Sequence, residues 1–338
     1  MAKRVISRRG FIRLSLLGGI ALGLTYIQQR TADMGLVNFL RWSLRGQLQG
    51  ISPPAIVGLL KFHSYNDDIV SPIRDLWKIS EMPDVKGRSI LIKPNLVERG
   101  NYELAPTNPV IIDAAIEVLV ELGASKIIVG EGSAFRRDTY SLAMSSGLIQ
   151  VLDKHGVQFI DLNFDELIPV RTRDGWFPNN THLWLPKHVC DADFILSMPK
   201  LKTHHWTGVT LSLKNLIGTI PGSRYGWSKN IVHMNGVNRT IIGIYQLLPP
   251  VISIVDGIIG MEGNGPLYGE PVKHGLIALG SDPLAVDTIC TQLMGFSVND
   301  ILHLSAAAWA GIGQAKRIET RGVSPDQLQE HYKPPPKY

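Results

Sequence analysis

Four short apolar runs in this chain each end on side chains that hold anions or move protons. After residues 89–92 (SILI) come Lys93, Pro94 and Asn95, and after 126–130 (KIIVG) come Glu131, Gly132 and Ser133. After 193–197 (DFILS) come Met198, Pro199, Lys200, Leu201, Lys202, Thr203, His204 and His205. After 251–255 (VISIV) come Asp256 and Gly257, with Glu262 and Asn264 close behind. One polar residue after an apolar run is an ordinary solvated turn, but four such endings argue for one shared rim. Lys93, Lys200 and Lys202 suit a carboxylate or phosphate. His204 or His205 could move a proton, with Glu131, Asp256 or Glu262 as its partner or as the opposing acid–base group. The two histidines are consecutive, so on an extended segment they face opposite ways and one of them points into a site. Lys214 and Asn215, in SLKNLIG, could orient the same anion or lie on an ordinary helix surface.

The same residues leave a metal-loaded reading open. His204, His205, His233, Asp256 and Glu262 form a mixed nitrogen and oxygen set. Their spacing matches no recognised ligand pattern, so metal identity is not legible. The glycine-rich segment 257–266 (GIIGMEGNGP) matches neither the dinucleotide fingerprint nor the P-loop, and no G-x-S-x-G elbow is present. Two cysteines, Cys190 and Cys290, are too few for a four-cysteine iron–sulfur cluster or structural zinc. Each lies in an apolar context, which favours two separate buried thiols over a disulfide.

The elements that must position these groups alternate. Residues 89–93, 126–130 and 157–162 read as buried strands, and 109–122 and 138–155 as helices, the second broken at Gly147. That order predicts an α/β fold: a mostly parallel sheet with helices on both faces. In such a sheet ligands bind beyond the carboxyl ends of the strands. Residues 163–187 are rich in Gly, Pro and Asn and predict an inserted hairpin or irregular region. Residues 193–197, 251–255 and 275–279 continue the strands. Residues 237–248 and 283–293 continue the helices, the latter capped by Asp282-Pro283. The stretch 201–236 has little periodicity, and a segment of that length without regular structure is usually functional. With Trp206, Tyr225 and Trp227 exposed, it could instead be a contact surface for a partner. The resulting division is a leader or anchor at 1–31, a helical segment at 32–87, the α/β domain at 88–312 and a tail at 313–338.

Charge sorts partners. Of 34 Lys and Arg residues, six stand in residues 1–31, which hold no acid, leaving 28 against 29 acidic residues. A near-neutral body offers no electrostatic footprint for nucleic acid. The first 30 residues carry Ser7-Arg8-Arg9-Gly10-Phe11-Ile12-Arg13 followed by an apolar stretch over residues 14–27. The pattern resembles a twin-arginine signal, which makes the twin-arginine translocase a partner and places the protein in the periplasm or an equivalent compartment. The stretch is short for a spanning helix, which needs about 20 residues. No A-x-A cleavage site stands out, so the leader could stay as a membrane tether. Residues 34–49 could form a membrane-surface helix or pack on the domain, and packing is the commoner outcome.

Five ordered blocks carry a family resemblance: IKPNLV at 92–97, MPKLKTH at 198–204, SLKNLIG at 212–218, DGIIGMEGNGP at 256–266 and SDPLAVD at 281–287. Over residues 88–312 the chain resembles the family called domain of unknown function 362. The resemblance implies the type of protein and the site blocks, but no reaction. Some members carry a ferredoxin-like iron–sulfur module. This chain lacks that cysteine run, so no iron–sulfur cluster is implied. The expectation is an exported protein, an enzyme binding a small anionic substrate in a cleft of Lys, His and carboxylate groups. The alternatives are a metal- or cofactor-loaded redox-associated protein and a membrane-tethered binding or assembly factor.

Overall fold

The computed structural model describes residues 36–97, 104–134, 138–173 and 175–336. The twin-arginine pattern and the apolar stretch after it lie outside these residues.

The first six elements after residue 88 form for local reasons visible in the sequence. Strand β2 (Ser89–Pro94) is apolar and buried along most of its length. The helix Pro109–Glu121 starts where the Asn108 side chain accepts from Val110 N and Pro109 occupies the first position. Strand β3 (Lys126–Glu131) follows. Asp138 caps the helix Thr139–Ser145, and Gly147 (φ 80°) separates it from the helix Leu148–His155. Strand β4 (Gln158–Asp161) completes the alternation, and β2–β3 and β3–β4 are both parallel.

The remaining strands are β1 (Ala55–Lys61), β5 (Leu167–Arg171), β6 (His182–Pro186), β7 (Phe194–Met198), β8 (Lys200–His204), β9 (Gly208–Val209), β10 (Val251–Glu262), β11 (Glu270–Val272), β12 (Leu276–Gly280) and β13 (Ile318–Gly322). The main sheet runs β13-β1-β12-β10-β7-β2-β3-β4, with β8 and β11 paired to β10. Strand β12 is antiparallel to both neighbours, while β10–β7, β2–β7 and β1–β13 are parallel. Strands β5 and β6 form a separate antiparallel hairpin, as the Gly/Pro/Asn-rich stretch predicts.

Side chains alternate across the sheet and build a core on each face. Leu91, Ile195 and Val255 belong to one, while Ile90, Ile92, Leu196 and Ile254 belong to the other. Helices cover both: Pro109–Glu121 and Leu148–His155 on one side, Val237–Tyr245 and Pro283–Leu293 on the other.

Three expectations are corrected. Residues 32–87 are not helical throughout, because the apolar run of β1 enters the sheet between β12 and β13. Part of the 201–236 stretch is ordered sheet, since β8 is buried along its whole length. The apolar run at 251–255 does not end at Asp256: β10 continues to Glu262, so Asp256 lies in mid-strand and pairs with Ile277 and Lys200. The chain also forms a helix at Leu302–Trp309, whose alanine-rich sequence carries little amphipathic signal.

Candidate functional site

The parallel register brings three strand ends to one rim. Lys93 on β2 pairs with Ser197 on β7, which pairs with Ser253 on β10, while Glu131 ends β3. Strand β8 delivers His204, and the helix Ser212–Asn215 delivers Lys214 and Asn215. Around these lies a cavity of about 160 Å³ lined by Lys93, Asn95, Glu131, His204, Lys214, Asn215 and Lys229, with Gly132 and Gly218 as backbone wall. Six of these seven side chains are ones the sequence singles out. A larger groove of about 310 Å³ beside Pro53, Asp282 and Gln314 is open to solvent and has no cationic side chain in its lining.

Lys93 and Glu131 form the buried centre. Lys93 Nζ donates to Glu131 Oε2 (2.6 Å), to Pro94 O (2.6 Å) and to Asn215 Oδ1 (3.3 Å), which uses all three ammonium protons. Glu131 accepts further from Leu96 N (3.0 Å) and Gly132 N (2.8 Å). Burial pushes the Lys93 amine below its ordinary range, and Glu131 opposes that shift. Asn215 is held on both ends. Its Oδ1 accepts from Asn95 Nδ2 (3.1 Å), and its Nδ2 donates to Lys93 O (3.0 Å) and Ser197 Oγ (3.1 Å). The pair needs a glycine opposite, because a Cβ at Gly218 would collide with Lys93 and with Glu131 Oε1.

Lys229 is the lining residue that sequence reasoning missed. Its Nζ donates to Gly132 O (2.9 Å), Ile217 O (3.2 Å) and Gly218 O (3.2 Å) and so closes the rim between two loops. Burial pushes its amine down to about 7, with Glu131 opposing. Nothing in its local run, WSKNIV, marks it, since all three partners are carbonyls distant in sequence.

Three lining groups present free valence among the described residues. Lys214 is half-buried, and its amine has no hydrogen-bond partner among the described residues. Burial first, then the charge of Lys93, lowers it to about 8, against an opposing pull from Glu131. His204 accepts from Trp206 N at Nδ1 (3.1 Å), which puts the ring proton on Nε2. Burial, then Lys214 nearby, keeps this ring well below its ordinary pKa, so Nε2–H is a neutral donor. Asn95 Oδ1 is also buried without a partner among the described residues. The short helix carrying Lys214 is anchored by Asp287, whose carboxylate accepts from Ser212 N (2.8 Å) and Leu213 N (2.9 Å). Burial raises Asp287 to about 7.

The other candidates lie elsewhere. Lys200 Nζ is sealed against Asp256 Oδ2 (2.9 Å) and Tyr65 OH (2.6 Å), and Tyr65 OH donates to Asp256 Oδ1 (2.9 Å). Both charged residues are 0% exposed, so Asp256 is a partner in an internal ion pair and not an acid facing the cavity. Lys202 is fully buried and donates to Ala105 O (2.7 Å). His205 stacks on His204 (ring centroids 4.9 Å apart) and is engaged by Gly265 O (3.0 Å), outside the lining. Glu262 binds Lys333 N (2.8 Å) and Lys333 Nζ (3.1 Å) at the far end of β10. His233 is exposed and meets the edge of Trp206. The mixed metal-ligand set therefore does not converge. Among the described residues, the group with metal-compatible spacing is Asp113, Glu117 and His155 on the outer surface, and Lys154 Nζ already sits on its carboxylates at 2.9–3.0 Å. Of the aromatic contact residues, Trp206 is exposed, while Tyr225 and Trp227 are half-buried. Cys190 and Cys290 are both free thiols, half-buried and buried.

The sequence pattern of a family described as a domain of unknown function (DUF362) matches residues 90–292. Over 251 residues the chain is 31% identical to a thylakoid-associated protein of a Synechocystis species, covering 71% of this chain and 70% of that one. Among solved structures, it is similar to the lactate racemase apoprotein of Thermoanaerobacterium thermosaccharolyticum, with a TM-score of 0.43 and 12% identity over 72% of this chain. It is also similar to a structural-genomics protein of Thermotoga maritima, with a TM-score of 0.42 and 13% identity over 70% of this chain. The chain spans 58% and 61% of those two solved chains, less than two thirds of either.

Proposed function

We propose that this chain, which belongs to the family of the domain of unknown function DUF362, is an enzyme acting on a small anion held in the cavity at the ends of β2, β3 and β8. The observation that carries the reading is the charge balance of the lining. Three lysines, Lys93, Lys214 and Lys229, face one carboxylate, Glu131, and that carboxylate is already satisfied by an ammonium and two backbone N–H groups. An anion entering the cavity meets the Lys214 ammonium and the Nε2–H of His204, both unengaged among the described residues. Charge-assisted hydrogen bonds of this kind contribute about 1.5–3 kcal/mol each. The volume is that of about five liquid waters at ~30 Å³ each, which suits a small organic acid. The test is calorimetric titration with lactate as a non-reactive carboxylate. Binding to the native chain is expected, weakened about 10-fold or more in Lys214→Met. Equal affinity in both proteins would remove Lys214 from the anion site.

A second reading concerns location, and the helix Leu36–Leu48 favours it. One face packs, with Trp42 fully buried and stacked on Trp176 at 4.4 Å. The other exposes Leu40, Leu44 and Leu48 at i, i+4 and i+8, with Ile51 beyond, directly after the leader-like segment. We infer export by the twin-arginine route and contact of this stripe with the membrane surface. No described helix is long and apolar enough to cross a membrane. Each leucine taken fully out of water contributes about 1.5–3 kcal/mol. Cell fractionation checks both steps. The full chain is expected in the membrane fraction of the exported compartment, Arg8→Lys/Arg9→Lys in the cytoplasm, and Leu40→Gln/Leu44→Gln/Leu48→Gln in the soluble exported fraction. An unchanged distribution for either variant would overturn the corresponding step.

A further inference from the structure

The lysines around the cavity differ in one respect that decides their chemistry. Lys93 spends its three ammonium protons on Glu131, Pro94 O and Asn215. Lys229 spends its three on the carbonyls of Gly132, Ile217 and Gly218. Lys200 is paired with Asp256 and Tyr65, and Lys202 is turned to Ala105 O outside the lining. A lysine nitrogen whose three hydrogen-bonding directions are filled by acceptors has none left to turn toward a substrate, whether it is charged or neutral. Lys214 alone among these five has no such acceptor among the described residues, and it lines the cavity.

We propose that Lys214 is a covalent site, where its amine condenses with the carbonyl group of a small oxo acid to form an imine. This rests on the anion reading above and names its substrate class: a carboxylate bearing a ketone or aldehyde. The neutral amine attacks the carbonyl carbon, forming a C–N bond, and the carbonyl oxygen becomes the hydroxyl of a carbinolamine. That hydroxyl then leaves as water, so both hydrogens of the amine end on the departing oxygen and the nitrogen keeps a double bond to carbon. Nothing is oxidised or reduced, and hydrolysis reverses the step. Imine formation turns the carbonyl carbon into an electron sink for chemistry at the adjacent bond.

Three features support the assignment. The helix that carries Lys214 is fixed by Asp287 at its first two N–H groups and by Asn215 at its end, so the side chain lines the cavity from a rigid base and not from a surface loop. The neighbouring cation Lys93 and the apolar wall of Ile217, Leu96 and Leu267 are the surroundings that release a proton from a lysine. At about 8, roughly a tenth of the amine is neutral at pH 7. The Nε2–H of His204 is a donor within the same lining for the oxygen that leaves.

The experiment is borohydride trapping on the full chain with pyruvate, 2-oxobutyrate and acetoacetate in turn, followed by peptide mass mapping. The expected result is a reduced adduct on Lys214, labelled roughly 10- to 100-fold above a surface lysine at the ordinary pKa of about 10.4. Lys214→Arg should lose the adduct, and because the label is mapped on the native chain, the answer does not depend on that variant folding. Labelling spread evenly over surface lysines, or no label on Lys214 with any of the three acids, would overturn the proposal. Lactate separates the two readings, since it is an anion without a carbonyl. Lactate binding with no label leaves the anion site and removes the covalent one, and loss of both removes both.

Discussion

Glu131→Ala is expected to destabilise the protein by about 3–5 kcal/mol, because it leaves the buried Lys93 ammonium without its counter-charge. Both members of the pair are almost completely sealed, at 1% and 2% exposure, so water cannot replace the missing carboxylate. The loss exceeds the ion pair itself, since Leu96 N and Gly132 N also give up their acceptor. Glu131→Gln keeps one acceptor oxygen and removes the charge, and should fall between the variant and the native chain. The double change Lys93→Met/Glu131→Leu removes the orphaned ammonium but not the two orphaned N–H groups. It should therefore recover part of the loss and not all of it. Urea unfolding, read from the midpoint at unchanged slope, measures all three. A Glu131→Ala protein within about 1 kcal/mol of the native one would mean that Lys93 is neutral or rehydrated in the fold, and the charge balance proposed for the cavity would be wrong.

The ends of β2 and β3 are legible in the sequence because the rule behind them is local. A strand buried on both faces reads as an unbroken apolar run, and the first polar residue after it reports the rim, as Lys93 and Glu131 do. The same rule misplaces Asp256 for a physical reason. Lys200 and Tyr65 neutralise its carboxylate inside the sheet, so a charge appears in mid-strand where the pattern reads a terminus. Glu262 fails in the same way, since it ends a strand that runs six residues beyond Asp256, away from the cavity. The neighbours β1 and β13 pair across nearly the whole chain, and no local signal specifies such a partner. Lys229 is invisible for the opposite reason: its role depends on three carbonyls presented by other loops. Lys214 and Asn215 stand out together in the sequence, but what separates them, an amine without a partner among the described residues from a fully bonded amide, is a matter of partners and not of residue type.

Affinity for a carboxylate anion should fall as pH rises through 7 to 8, well before an ordinary lysine would lose its proton. The sign follows from the direction of the shifts. Lys214 is lowered to about 8 and Lys229 to about 7, so the cavity carries both charges below pH 7 and sheds them above pH 8. His204 is held well below its ordinary value and stays a neutral donor across this range. Lactate is a fitting ligand, because a carboxylic acid titrates near pH 4 and contributes nothing above pH 6. Above the Lys214 pKa, linkage predicts about a 10-fold loss of affinity per pH unit for one essential proton. Lys214→Arg keeps its charge at every accessible pH, so its affinity should stay flat through the Lys214 step. Imine trapping asks for the opposite form of the same amine. Binding needs a positive cavity and attack needs a neutral nitrogen, so the yield of trapped adduct should rise from pH 6, pass a maximum near the Lys214 pKa and decline as the anion ceases to bind. Lactate affinity that stays constant to pH 10 in the native chain would mean that Lys214 keeps its proton like an ordinary ammonium, which removes the covalent role from it and leaves its part in anion binding to the Lys214→Met comparison.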